Sequence, residues 1–222
     1  MHILLTDQLA CPRCGPEFGL IVLADRIADR RVESGTLGCA NCRTGYPVEA
    51  GVADLRVEGS TLFFSPDPSV SEPEYALRLA ALIGVQPPQT WVVVIDGSGA
   101  AAPAVSGYLP DARIVSITPG PAVPASAAPV QASPAPAQAA DRVSKVFAGE
   151  RMPFRSGGFR AVVVAGAPAP DLLRELGRLP GRGGRLVVTG GDDETVKILH
   201  EMGFTMLLRE ADTLVAAAPG GR

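Results

Sequence analysis

The stretch Trp91-Val92-Val93-Val94-Ile95-Asp96-Gly97-Ser98-Gly99 decides the fold of this 222-residue chain. Its first five residues form a continuous apolar and largely β-branched run, which is typical of a strand buried on both faces of a parallel sheet. The glycines after the run predict a tight turn that leads out of the strand. The stretch therefore predicts a central strand of an α/β unit, with a turn at its carboxyl end.

Similar strands and intervening helices surround this stretch. Three further apolar runs have the same character, at 114–117, 161–164 and 185–188. Helical patterns begin at a capping-box sequence, Ser71-Glu72-Pro73-Glu74, at Asp171, and at Asp192 or Asp193. The segments 205–208 and 213–216 predict a terminal antiparallel hairpin. Because strands and helices alternate, we predict a mainly parallel, doubly wound sheet.

Four cysteines lie in two CxxC pairs, Cys11 with Cys14 and Cys39 with Cys42. Two CxxC turns complete the tetrahedral four-sulfur site that holds a structural Zn²⁺. Two disulfides or a redox CxxC are the alternatives. The first residues lack the basic region and long apolar core of a signal peptide, so we expect a cytoplasmic location, where disulfides are rare. We therefore interpret the four cysteines as ligands of a structural zinc, with no position open for catalysis.

Charge and hydropathy restrict the classes of partner. The net charge is -3 and the pI is about 5.4, which argues against a dedicated nucleic-acid-binding protein. Arg26, Arg30 and Arg31 form a local basic group between the cysteine pairs, and it is either an RNA contact or a set of solvated surface charges. No apolar run approaches the about 20 residues that cross a bilayer, so we expect no membrane partner.

Composition predicts two units in the chain. We assign residues 1–57 to a zinc ribbon, 58–70 to a linker and 71–218 to an α/β domain. Residues 119–140 consist almost wholly of Pro, Ala, Ser, Gly and Gln, and we interpret them as a flexible or polyproline-like insert where a crossover helix belongs. The predicted fold class is α/β: a small zinc ribbon followed by a Rossmann-like doubly wound sheet, mainly parallel, with a C-terminal antiparallel hairpin.

Four spaced motifs in the first unit carry a family resemblance: Leu9-Ala10-Cys11-Pro12-x-Cys14, Leu37-x-Cys39-x-x-Cys42, Tyr46-Pro47-Val48 and Gly51-Val52-x-x-Leu55. With them the unit resembles the small zinc ribbons that activate RNA and protein methyltransferases. In that family the ribbon is a platform for a partner rather than an enzyme, and some bacterial proteins carry a similar ribbon before a methyltransferase domain. The resemblance implies a protein partner bound through the ribbon or an exposed sheet edge.

Three stretches of the second unit, 92–101, 152–162 and 172–188, carry a second resemblance. They are similar to class I S-adenosylmethionine-dependent methyltransferases, whose antiparallel sixth and seventh strands match the predicted terminal hairpin. The resemblance implies S-adenosylmethionine at the carboxyl edge of the first strands. There a glycine-rich turn approaches the cofactor closely and acidic side chains accept its hydrogen bonds.

The resemblance assigns the cofactor positions to Asp96, Gly97, Gly99, Thr118 and Glu150. Ile95, not an acid, stands two residues before the first glycine, and the one-residue displacement of Asp96 points its side chain to the other face of a strand. Thr118 stands where the family has an acid for the ribose. Ala148 aligns with the adenine-binding aspartate, and Glu150 follows two residues later.

Two outcomes are open for these positions. Either Asp96 turns inward and Glu150 substitutes, so that the cofactor still binds, or Gly97 and Gly99 form a plain strand-to-helix turn. No catalytic pattern accompanies them, since Ala165-Gly166-Ala167-Pro168 replaces the usual Asn/Asp-Pro-Pro-aromatic motif of amino-group methyltransferases. Our leading hypothesis is a zinc-binding, non-catalytic, methyltransferase-like protein that serves as a structural or protein-interaction module. The alternative is an active S-adenosylmethionine-dependent methyltransferase that docks its substrate on the ribbon.

Overall fold

One twelve-stranded sheet runs through the computed structural model, which describes residues 1–58, 60, 62, 64–84, 90–120 and 142–220. The strands in chain order are β1 (Ala10–Cys11), β2 (Gly15–Ala28), β3 (Arg31–Cys39), β4 (Gly45–Glu49), β5 (Val52–Asp54), β6 (Phe64–Pro66), β7 (Trp91–Ile95), β8 (Arg113–Thr118), β9 (Val143–Phe147), β10 (Phe159–Val164), β11 (Gly166–Pro168), β12 (Pro180–Val188), β13 (Thr205–Glu210) and β14 (Thr213–Ala217). Their order across the sheet is β1-β2-β3-β4-β5-β9-β8-β7-β10-β12-β14-β13, and β6 pairs with β11 separately.

The second half of this sheet is the predicted α/β fold. Strands β9, β8, β7, β10 and β12 are parallel, and β14 and β13 add an antiparallel hairpin at the far edge. All five residues of β7 are buried, as the apolar run predicts. The helices are α1 (Pro73–Ile83), α2 (Ala101–Tyr108), α3 (Pro170–Gly177) and α4 (Asp193–Glu201). The predicted fold class is therefore confirmed.

The helices cover both faces of the parallel strands. Buried residues of α1 and α2 form one hydrophobic cluster with alternate residues of the sheet, while those of α3 and α4 belong to a second cluster on the opposite face. The sheet is thus doubly wound, with a helical layer on each side. The longest described helix, α1, has 11 residues, and no described helix is long and apolar enough to span a membrane.

The ribbon and the parallel strands form one continuous sheet. Strands β2 to β5 are antiparallel neighbours, and β5 then pairs in parallel with β9 through Val52, Ala53 and Asp54. The ribbon also contributes Met1, Leu5 and Leu9 to the cluster that contains α3 and α4. The β5 edge of the ribbon is therefore paired with β9 of the same chain.

Two predicted helix starts are wrong in detail. The N-cap position of α1 is Glu72, one residue after the start of the predicted capping box, and the Glu72 side chain makes no capping hydrogen bond. Asp171 lies inside the first turn of α3, and Ala169 is its N-cap. Asp192, by contrast, forms the capping box of α4 with Thr195, as predicted. Helix α1 starts at a proline, whose fixed φ suits the first turn without a side-chain cap.

One sequence-based expectation concerns residues outside the described part of the chain, and two elements of the fold were not predicted. The Pro/Ala-rich insert lies outside the described residues, apart from Pro119 and Gly120. Strand β9 and helix α2 were not predicted, because exposed Lys145 interrupts the first and Pro103 and Gly107 interrupt the second. The division of the chain at residue 57 stays a prediction.

Candidate functional site

The four cysteine sulfurs converge on one point. Their Sγ atoms all lie within 4.8 Å of one another. Cys11 and Cys42 are 3.7 Å apart, and Cys14 and Cys39 are 3.8 Å apart. Sulfurs about 2.3 Å from a tetrahedral zinc are about 3.8 Å from each other, whereas disulfide sulfurs are about 2.05 Å apart. The arrangement fits a four-thiolate metal site and contains no disulfide.

Two turns bring these sulfurs together. The first follows Cys11 and reaches Gly15, whose φ of 105° is in the region that favours glycine. The second is held by backbone hydrogen bonds from Arg43 to Cys39 and from Cys39 to Thr44, the latter at 3.0 Å. The turns lie at the ends of β1 and β3, so the sheet fixes the separation of the two knuckles.

Hydrogen bonds and burial act differently on two of the thiols. Asn41 donates from Nδ2 to Cys14 Sγ at 3.3 Å. Hydrogen bonds to Thr44 lower the pKa of Cys42 to about 6. The Asn41 bond lowers the pKa of Cys14, but burial and the other three thiols outweigh it and raise that pKa to about 11. A divalent cation held by the four sulfurs would stabilise all of them as thiolates.

The glycine loop after β7 forms the second candidate site. Asp96 is buried, and its two carboxylate oxygens accept hydrogen bonds from the backbone N–H groups of Gly99 and Ala101. Burial raises the pKa of this carboxyl despite those bonds. Asp96 therefore accepts the hydrogen bonds of N–H groups in the loop and at the start of α2. These N–H groups are paired with the protein's own carboxylate.

The described residues between Leu55 and Asp67, which we call the strap, lie along the carboxyl edge of the parallel strands. A Cβ placed on Gly97 would lie 3.0 Å from Phe64 Cζ and 3.3 Å from Pro66 Cγ. Strand β6 of the strap pairs with β11, which directly follows β10. The predicted linker therefore includes a strand that lies on the glycine loop.

Side chains and backbone anchor the strap at both ends. Arg56 donates to Pro119 O at 3.4 Å, and its guanidinium carbon lies 5.5 Å from the ring centre of Phe147. At the other end, Asp67 accepts from Ser69 N–H and from the Thr189 hydroxyl, both at 2.8 Å. The sequence offered little signal for this segment, because its pairing is with residues about a hundred positions away.

The remaining predicted cofactor residues lie at the same edge. The Thr118 methyl group lies 3.3 Å from the position of a Cβ on Gly99. Glu150 is exposed, and its backbone N–H donates to Ser60 Oγ at 3.0 Å. The structure thus brings Asp96, Gly97, Gly99 and Thr118 together, while Glu150 is bonded to the strap through its backbone.

One buried hydroxyl also faces the loop. Ser116 Oγ has no hydrogen-bond partner among the described residues and lies 3.6 Å from the position of a Cβ on Gly99. A buried hydroxyl of this kind suits a ligand, but Phe64 and Pro66 of the strap lie over Gly97. Thr118 and Ala148, at the positions that the resemblance assigns to the ribose and the adenine, carry no charge. These two positions therefore do not supply the charged acceptors expected for S-adenosylmethionine.

Two of the cavities bordered by described residues lie away from the glycine loop. The larger of these two, about 310 Å³, lies at the opposite edge of the sheet, between Trp91, the turn at 157–158 and the first residues of β10 and β12. The smaller, about 60 Å³, lies between β11 and α4. Within the described part of the chain, the carboxyl edge near Gly97 is therefore packed against the strap rather than lined by either cavity.

No protein-family model matches the sequence, and no curated protein matches it. Solved structures similar in fold include the antibiotic-resistance methyltransferase Kmr, 16% identical, with a TM-score of 0.44, over 66% of this chain and 93% of that one. Another is the [4+2]-cyclase SpnF, 15% identical, with a TM-score of 0.49, over 74% of this chain and 88% of that one. A third, from Methanococcus maripaludis, is described as a putative S-adenosyl-L-methionine-dependent methyltransferase and is 15% identical, with a TM-score of 0.44, over 68% of this chain and 85% of that one.

Proposed function

We propose that this chain is a zinc-stabilised, non-catalytic protein of methyltransferase-like fold that serves as a structural or protein-interaction module. The strap on Gly97 is the observation that carries the proposal, because Phe64 and Pro66 pack on the loop that a class I methyltransferase offers to its cofactor. The internal bonds of Asp96 support the same conclusion. Each missing hydrogen bond to a charged acceptor would weaken cofactor binding by about 1.5–3 kcal/mol, or tenfold and more.

The metal part of the proposal rests on the four thiols. Their spacing matches the edges of a tetrahedral four-sulfur site, in which all coordination positions are taken by protein. Such a zinc stabilises folding and performs no reaction. We expect one zinc per chain by elemental analysis of protein purified without added metal.

The outer edge of the ribbon supports an interaction role. Strand β1 pairs with β2 only at Gly15 and Gly19, so the described edge of β2 beyond residue 19 has no neighbouring strand on that side. Ile21, Leu23 and Ile27 of β2 are 57%, 63% and 51% exposed. An apolar strand edge of this kind favours pairing with another protein chain. We propose this edge, rather than the β5 edge paired with β9, as the contact with a partner protein.

The test is equilibrium titration of the full chain with S-adenosylmethionine, beside an established methyltransferase in the same buffer. The Phe64→Ala variant is titrated in parallel, because it removes the ring that lies on Gly97. We expect no saturable binding of S-adenosylmethionine to the unmodified chain or to Phe64→Ala. Micromolar binding by the unmodified chain would support the active methyltransferase instead, and binding only by Phe64→Ala would show a working site closed by the strap.

A further inference from the structure

A row of arginines follows the amino-terminal edge of the parallel strands, opposite the glycine loop. In sheet order, β9, β8, β7, β10 and β12 carry, at or within two residues of their first residue, Arg142, Arg113, Trp91, Arg160 and Arg182. Because adjacent strands are about 4.8 Å apart, the row extends roughly 19 Å. Four of the five strands thus place a guanidinium group at one edge, and the middle strand places an indole ring there.

Contacts around Trp91 join the two halves of this row. The guanidinium carbon of Arg113 lies 5.6 Å from the ring centre of Trp91. On the other side, Trp91 lines the cavity of about 310 Å³ together with Arg160 and Arg182. The cavity walls also include Gly157, Gly158 and Gly181, so peptide groups as well as guanidinium groups border it. Trp91 itself is buried, so the accessible part of the row consists of the arginines on both sides of it, with an open hollow at one end.

The ribbon extends the row at its other end. Arg31 Nη2 donates to the carbonyl of Val143, the first residue of β9, at 2.9 Å. The ring of His2 lies 6.3 Å from that of Trp91. Burial lowers the pKa of His2, and Arg113, Arg31 and Arg30 lower it further. The ribbon arginines and the arginines of the parallel strands therefore act on the same histidine and belong to one positively charged surface.

Four arginines of this surface, Arg30, Arg142, Arg160 and Arg182, take part in none of the ion pairs among the described residues. Arg142 and Arg160 donate to backbone carbonyls instead, at 2.6 and 3.1 Å. Such bonds orient a guanidinium group and leave its charge in place. This concentration of positive charge contrasts with the net charge of -3 for the whole chain.

We propose that this arginine row binds the phosphodiester backbone of a single-stranded nucleic acid. Guanidinium groups bind phosphate oxygens in a bidentate geometry, and a regular row of them matches the regular charges of a polynucleotide better than the scattered charges of an acidic protein. A single strand fits because this edge is formed by the starts of sheet strands, and no described helix begins there that could enter a duplex groove. RNA and DNA share the recognised chemistry.

The experiment measures fluorescence anisotropy of a short labelled RNA, and of a DNA of the same sequence, with the full chain at a series of KCl concentrations. The test variant is R160A/R182A, in which both changed side chains are exposed. The matched control is R174A/R209A, which also removes two exposed arginines and leaves the row intact. A thermal melt of each variant establishes that it is folded.

We expect salt-dependent binding by the unmodified chain and by the control. R160A/R182A should bind about tenfold or more weakly at low salt, and its slope of log affinity against log salt should fall by about 1.4. Protection of Arg160 and Arg182 from phenylglyoxal by the RNA gives a second readout on the unmodified chain. The proposal is wrong if neither nucleic acid binds, if test and control variants lose affinity equally, or if polyglutamate displaces the RNA at equal charge concentration.

Discussion

Asp96 shows how one residue can serve the fold at a position where a resemblance suggests a ligand. It lies just beyond β7, and both of its oxygens accept backbone hydrogen bonds from the loop that it precedes. These bonds offset part of the cost of burying a carboxylate, although the raised pKa shows that burial outweighs them. The acid is therefore fixed in the turn and faces its own backbone.

Gly97 is a residue at which both the loop and the strap restrict substitution. Its φ is 72°, and an added Cβ would lie 3.0 Å from the Phe64 ring. We expect Gly97→Ala to destabilise the protein by about 1–3 kcal/mol, because both the backbone conformation and the contact become unfavourable. The change in free energy of unfolding is measured by urea denaturation.

Gly107 provides the matched control for that substitution. It lies in α2, and an added Cβ would meet no heavy atom within 4 Å. Gly107→Ala should leave stability unchanged or raise it by up to about 1 kcal/mol, since alanine is the better helix former. Equal destabilisation by the two substitutions would contradict the packing described for Phe64.

The strap is the element that most changes the interpretation of this fold. It closes over the carboxyl edge through one short strand and through polar anchors at each end. Asp67 links it to Thr189, which in turn lies 3.0 Å from the hydroxyl of Tyr75. Thr189 and Tyr75 are both buried, so each needs its hydrogen-bond partner.

Asp67→Ala should therefore release the strap. Burial raises the pKa of Asp67, but hydrogen bonds from Ser69 and Thr189 outweigh it and place the pKa below its ordinary value. The stabilisation is thus present above the ordinary carboxyl pKa of about 3.9 and is lost as the pH falls through the lower folded value. We expect a loss of about 1–3 kcal/mol at pH 7 and faster chymotryptic cleavage at Phe64.

The same measurement has a control at an exposed aspartate whose partner is an arginine. Asp193 pairs with Arg209 on the surface, and Asp193→Ala should change the cleavage rate by little, because exposed ion pairs contribute about 0–1 kcal/mol. The difference in free energy of unfolding between the unmodified chain and Asp67→Ala, measured by urea denaturation, should stay constant from neutral pH to about pH 5 and shrink below about pH 4. A difference that does not change with pH would show that the Asp67 carboxylate does not hold the strap.

At the scale of the whole molecule, the four-cysteine cluster and the α/β fold are coupled through one sheet and one core. Strand β5 pairs with β9, and Leu9 forms a bridge with Phe154 in the segment before β10. Cys11 and Cys39 belong to the same buried cluster as residues of α3 and α4. Loss of the metal should therefore weaken more than the ribbon.

We expect Cys39→Ser to lose zinc and to lower the thermal midpoint of the entire chain in a single transition. A loss of about 3 kcal/mol corresponds to roughly 6–12 °C in a protein of this size. Chelation of the unmodified protein should give the same shift, and Glu17→Ser, at an exposed ribbon position, should give none. Two separate transitions, or full zinc retention by Cys39→Ser, would contradict this coupling and the ligand set.

The sequence alone determined the strands that are buried on both faces and the cysteine cluster. Strands such as β7 and β10 are marked by their own residues, since burial on both faces requires apolar side chains throughout. The CxxC turns are equally local. In these cases the physical cause acts within a few residues, so neighbouring letters are sufficient to predict the structure.

Only the tertiary structure decided three features: the packing of the strap on the glycine loop, the pairing of the ribbon with the parallel strands, and the arginine row. Phe64 and Gly97 meet because β6 pairs with a strand far away in the chain, and Arg142, Arg113 and Arg160 align only when their strands are placed side by side. Pairing of strands depends on backbone groups that every residue carries. The amino-acid sequence of a segment therefore indicates whether it forms a strand, and the packing of the whole chain determines which strands are its neighbours.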